Sequence, residues 1–244
     1  MKKLFTVVAV IALVCNAAQA KTWRINNDPE AKADFLSIND AMASLDVFDG
    51  DVLYLDPGCR LPSQTVSKSV TIIGTGYNLT ESEEAMVDGI TLKVEGIKLT
   101  GVNVSGEIAC SKNNIIVERC KSQGISVYPD LLGIQIIGCY IHGKITCRSI
   151  TDKYQAVVRN CIVLGQISYM DNGIISNNVV IQDSGSSTNF NSYPLTAIDN
   201  STISNNIIIN TTTHTSVTDN VVTYYRNNTI ASITVENNNN IINK

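Results

Sequence analysis

Between residues 96 and 169, apolar and polar positions alternate in short runs that recur about every 20 residues. Four segments superimpose: 96–110 (GIKLTGVNVSGEIAC), 114–127 (NIIVERCKSQGISV), 133–147 (GIQIIGCYIHGKITC) and 155–169 (QAVVRNCIVLGQISY). Each opens with apolar residues at alternate positions, among them Ile97, Ile115 and Ile134, then Leu99, Val117 and Ile136. A small residue follows (Val102, Cys120, Cys139, Cys161), and four positions later a glycine (Gly106, Gly124, Gly143, Gly165), so this alignment puts the four glycines in one column. Period-two alternation predicts half-buried strands, and strands this short at a fixed 20-residue period predict a solenoid whose coils stack in parallel.

Beyond the fourth repeat the small inward residue becomes asparagine: Ile175-SNNVV, Ile203-SNNII and Tyr225-RNNTI. The predicted column runs Val102, Cys120, Cys139, Cys161, Asn178, Asn206, Asn228, and Asn220 also fits the template. Stacked asparagines can join their amides into a ladder and tolerate a left-handed coil corner. Ahead of the repeats, Phe35, Ile38, Met42 and Leu45 fall on one helical face, with Asp34 as a suitable N-cap. This predicts a helix from Phe35 to Leu45 that covers the open end of the stack, where strand edges would otherwise be exposed. Strands are expected at 52–55 and 70–73. The polar stretch 183–194 reads as a loop thrown out from the coil, with Phe190 and Tyr193 as its aromatic residues.

The first 20 residues have the pattern of a secretory leader: Lys2 and Lys3, an apolar run from Leu4 to Cys15, then Ala18-Gln19-Ala20. Twelve apolar residues are too few to span a bilayer core of roughly 30 Å. Cleavage after Ala20 is therefore expected, leaving one exported domain, residues 21–244, in the periplasm, on the cell surface or in the medium. Removing Lys2 and Lys3 leaves 16 basic against 22 acidic side chains, a balance that argues against a nucleic-acid partner. Residues 95–160 are the exception, with 8 basic and 5 acidic groups.

Export makes disulfides the default for Cys59, Cys110, Cys120, Cys139, Cys147 and Cys161. The repeat argues otherwise. Parallel side chains stacked about 4.8 Å apart do not reach the disulfide dihedral easily, and Cys110 and Cys147 skip a coil. Buried free thiols are expected. No spacing suits a metal, and no cofactor is expected.

The stretch 35–58 (FLSINDAMASLDVFDGDVLYLDPG), followed by 70–77 (VTIIGTGY), resembles the N-terminal cap and first coil of pectin-lyase-like right-handed parallel β-helix proteins. The nearest likeness is to short exported bacterial members. The resemblance implies an all-β, right-handed parallel β-helix with an N-terminal capping helix, and relatives that mostly meet polysaccharides. The family's catalytic motifs have no counterpart here. No acidic column suits a lyase's calcium, no Asp-Phe-x-Phe-Gly segment suits an esterase, and Ile141-His142-Gly143 is the nearest approach to a polygalacturonase Gly-His-Gly.

Candidate chemistry lies on the outward positions of the middle coils. Asn103, Lys121 and Tyr140 form one predicted column, and Ser105, Gln123 and His142 a second, both facing solvent. Lys121, Tyr140, His142 and Lys144 suit an acidic sugar, offering cations for carboxylates and an aromatic for a pyranose face, and Phe190 and Tyr193 form a second candidate patch. The plainer account is a solvated sheet face. His142 has no identifiable acid partner for general-base work. Three functions follow: a non-catalytic module binding polysaccharide, a lyase or hydrolase with an unrecognised site, and a structural or adhesive spacer.

Overall fold

The computed structural model describes residues 20–80, 82–147, 155–170, 173–182, 195–197, 202–210, 222–224, 234–235 and 241–243. The expected leader apart from Ala20, the stretch 183–194 with Phe190 and Tyr193, and Asn220 and Asn228 lie outside them. Strands collect into a ten-stranded and a fourteen-stranded sheet, every pairing parallel, so the chain is a β-solenoid. Coils pass from the first sheet into the second and return.

Register explains the repeat. In the first sheet Trp23, Leu53, Ile72, Leu99, Val117, Ile136, Val158, Ile175 and Ile203 stack residue over residue, each buried. In the second, Ile90, Ile108, Ile125, Ile145 and Ile167 do the same. A fully buried aliphatic side chain contributes about 1.5–3 kcal/mol, but only while neighbouring coils cover it. Cys110 and Cys147 share a column and are separated by Val127, as the spacing predicts.

The coil corner uses a left-handed residue directly before the small inward one: Gly101, Arg119, Gly138, Asn160, Asn177 and Asn205. The pairs Asn177-Asn178 and Asn205-Asn206 therefore divide their labour. The first asparagine takes the positive φ, and the second turns inward as the column predicts. Asn178 Nδ2 donates to Asn206 Oδ1 at 3.0 Å, and the Cys161 amide donates to Asn178 Oδ1 at 2.9 Å. Asn178 and Asn206 are buried, and each also donates to a backbone carbonyl, Val158 and Ile175 respectively. The ladder is present.

Cys59, Cys110, Cys120, Cys139, Cys147 and Cys161 are all buried, and none is in a disulfide. Cys120, Cys139 and Cys161 point their thiols at the carbonyls of Leu99, Val117 and Ile136. Burial pushes the Cys120 thiol up to about 12, so it stays protonated and unreactive at neutral pH.

The cap departs from the sequence pattern. The helix is Ile38–Ala43, not 35–45, and its N-cap is Ser37, whose side chain accepts from the Asp40 amide. Asp34 instead accepts from the Arg24 amide, and Phe35 pairs as a bridge with Ile25. Leu45 is 90% exposed. The cause is the strand Thr22–Ile25, which has no helix-like or repeat-like signature and claims the Phe35 backbone. The helix covers the edge of the second sheet: Asn39 Oδ1 accepts from the Thr65 amide and Gln64 Oε1 from the Asn39 amide, both at 2.9 Å. Among the described residues no helix is long and apolar enough to cross a membrane.

Replacing Asn206 by Leu should remove Asn178's partner in a dry interior and lower stability by roughly 1–3 kcal/mol in urea unfolding. Thiol titration of the denatured, unreduced protein beginning at Lys21 should find six free thiols; paired cysteines would reduce the count.

Candidate functional site

Lys121 and Tyr140 stand opposite each other on adjacent coils, at the starts of the strands Lys121–Val127 and Tyr140–Cys147. Strand alternation sends both outward while Ser122 and Ile141 go inward and are buried. His142 and Lys144 follow Tyr140 on the same face and are exposed. The Tyr140 and His142 rings meet edge to face with centroids 4.9 Å apart. The structure therefore brings the four predicted middle-coil residues onto one patch.

Asn103 does not belong to it. Although it shares Lys121's column, it is buried, because Glu84 folds over it and accepts from its side-chain amide at 2.5 Å. The segment between the strands Thr71–Ile73 and Met86–Val87 carries Glu84, and it also supplies a residue that the repeat pattern missed. Tyr77 packs against Tyr140 at 6.4 Å between ring centroids, and its hydroxyl donates to the Gly138 carbonyl at 3.0 Å. Burial raises the Tyr77 phenol's pKa, which keeps this donor neutral. The signal was available in outline: twelve residues separate these two strands, where the same corner takes two in the coils that follow. An aromatic on such an excursion is a candidate contact.

The predicted column of Ser105, Gln123 and His142 breaks at a bulge. Registers slip between Ser122 and Gly124, so Gln123 alone faces Ser105-Gly106 on one side and His142-Gly143 on the other. Gly124 consequently aligns with Glu107 and Lys144, not with Gly106 and Gly143, and the single glycine column is corrected to Gly106, Gly143 and Gly165. These three sit where a Cβ would meet a backbone oxygen at 2.4, 2.5 and 2.2 Å, whereas at Gly124 the nearest is 3.2 Å. The bulge beside His142 is a local kink of the kind that re-aims a side chain.

The patch has mixed surroundings. Beyond Tyr140 its column continues with Ile162 and later Ile207, 42% and 36% exposed. Opposite Gly124 lies Glu107, which accepts from the Ser126 hydroxyl. Among the described residues no group of three His, Cys, Asp or Glu side chains converges on a point where a metal could sit. What the described residues bring together is aromatic surface, from Tyr77, Tyr140 and His142, with the cations Lys121 and Lys144 on the same coils. Comparison with protein-family models, with curated proteins and with solved structures finds no match.

Gly143→Ala should destabilise the fold by well over 1 kcal/mol, since backbone must move, while Gly124→Ala should cost less than about 1 kcal/mol. Paired urea titrations check this, and equal losses would contradict the bulged register.

Proposed function

We propose that the chain is an exported, non-catalytic module of the pectin-lyase-like β-helix type that binds acidic polysaccharide along one coil face. The observation that carries this reading is the aromatic cluster of Tyr77, Tyr140 and His142 with Lys121 one coil away and Lys144 on the same strand. Tyr77 and His142 hold the Tyr140 ring from two directions, which lowers the entropy cost of presenting it to a ligand. A ring of this kind suits the apolar face of a pyranose, and the two ammonium groups suit uronate carboxylates. The mildly basic balance of residues 95–160, on an otherwise acidic chain, favours the same class of ligand. Export rests on the leader pattern, and the family type on the cap and first-coil resemblance.

Isothermal calorimetry against uronic-acid oligosaccharides tests the reading. Tyr140→Ala should weaken binding roughly tenfold, equivalent to about 1.4 kcal/mol. Lys121→Ala should weaken it a few-fold and reduce its salt dependence, because an exposed cation–carboxylate contact is screened. Absence of binding at millimolar ligand would favour a structural spacer. Release of unsaturated or reducing ends would favour an enzyme.

A further inference from the structure

A separate polar centre lies at the N-terminal end of the stack. Asp51 is buried, 4% exposed, yet among the described residues no arginine or lysine side chain forms a salt bridge with its carboxylate. Oδ2 accepts from the indole Nε1 of Trp23 at 2.9 Å and from the Phe48 amide at 3.0 Å. Oδ1 accepts from the backbone nitrogen of Lys21 at 2.8 Å. The Lys21 carbonyl in turn accepts from the Val52 amide at 2.8 Å, and its side-chain Nζ lies 3.4 Å above the centroid of the Trp23 ring. Lys21 is thus held by its nitrogen, its carbonyl and its side chain, immediately before the first strand. Lys21 is also the residue that follows the Ala18-Gln19-Ala20 leader pattern.

We propose that hydrolysis of the Ala20–Lys21 bond by a leader peptidase creates the cation for this site, so that removal of the leader completes the fold. Water adds its hydroxyl to the Ala20 carbonyl carbon, the C–N bond breaks, and the Lys21 nitrogen leaves as an amine. Protonation turns that amine into an α-ammonium already seated on Asp51 Oδ1. A neutral amide–carboxylate hydrogen bond becomes an ion pair, of the charge-assisted class that is stronger than its neutral counterpart. The mouth around it is acidic, lined by Asp46, Asp49 and Asp51 beside Lys21 and Phe48. Among the described residues, Lys21 Nζ sits over the indole and adds only the smallest of the attractions that hold the Asp51 carboxyl down, and Lys68 Nζ donates to the carbonyls of Ser44 and Val47. This leaves the new ammonium as the natural counter-charge for Asp51. The inference rests on the leader reading and is independent of glycan binding.

The sign of the pH dependence follows. Pairing raises the α-ammonium's folded pKa above its unfolded value of about 8, so its contribution is complete below that pH and lost as pH rises through the folded value. Burial pushes the Asp51 carboxyl up, but the hydrogen bonds from Trp23, Phe48 and Lys21 outweigh it and its pKa is lowered. Its contribution is therefore present above about pH 4 and lost on acidification through the folded value.

The test compares protein purified after export with the same chain carrying a short Ser-Gly-Ser-Ala extension before Lys21, which keeps that nitrogen an amide. N-terminal sequencing of the exported protein should begin at Lys21. Its melting temperature at pH 7 should exceed that of the extended form by about 2–4 °C, and the difference should vanish by pH 10. The fluorescence of Trp23, the single tryptophan, should titrate across the same alkaline range in the exported form only. Asp51→Asn should abolish the difference between the two forms; should that variant not fold, the wild-type comparison and the fluorescence titration still decide. A different first residue, or identical pH profiles for free and extended forms, would overturn the proposal.

Discussion

Parallel stacking of identical positions is the constraint on which everything else here depends. A coil of this chain has two or three short strands and one layer of inward side chains, too little to enclose a core of its own. Burial arises only between coils, in columns such as the one from Trp23 through Leu99 and Val117 to Ile203. Stability in such a stack approximates a sum of nearest-neighbour terms, so one misfitted coil weakens both its neighbours. It also makes the two ends special, since an end coil has one neighbour. The helix Ile38–Ala43 meets that need on the second sheet by giving the edge strand Gln64–Val66 hydrogen-bond partners from Asn39.

The same constraint governs which polar groups are allowed inside. A column interior to a solenoid has no water to satisfy a side chain, so a polar residue must find its partner within the protein. Asn178 and Asn206 find theirs one coil away through their amides, and Ser122 finds its own on the same strand, donating to the Gly124 carbonyl at 3.1 Å. Cysteine is the apolar solution to the same position: small and tolerant of a weak thiol–carbonyl contact. The switch from cysteine to asparagine along the column therefore changes how the coil corner is bonded, and leaves its shape intact.

A rigid stack also fixes where surface chemistry can gather. Outward side chains on adjacent coils stand one strand spacing apart, which places Lys121 beside Tyr140 without any dedicated scaffold. What individualises the patch is the departure from regularity. The Tyr140 and His142 rings meet beside the register slip opposite Gln123, and the excursion after Ile73 brings Tyr77 to the Gly138 carbonyl, 61 positions away in the chain. At the N-terminal end, the Asp51 centre joins the start of the first strand to the turn before the second.

Local patterning was enough for the parallel β-solenoid, the inward columns, the free cysteines and the outward placement of Lys121, Tyr140, His142 and Lys144. Each of these depends on alternation and on a repeat length, quantities that neighbours along the chain carry in full. Three things were decided in space. The strand Thr22–Ile25 exists because Val52–Leu55 offers it an edge, and it pulls Phe35 out of the expected helix. Gly124 leaves the glycine column because a coil one residue shorter must slip against both neighbours. Asn103 is covered by Glu84, and Asp51 is buried beneath Lys21 and Trp23, because loops fold back over the stack. Register, covering loops and long-range hydrogen bonds depend on which residues become neighbours across coils, and a one-dimensional pattern carries no record of that choice.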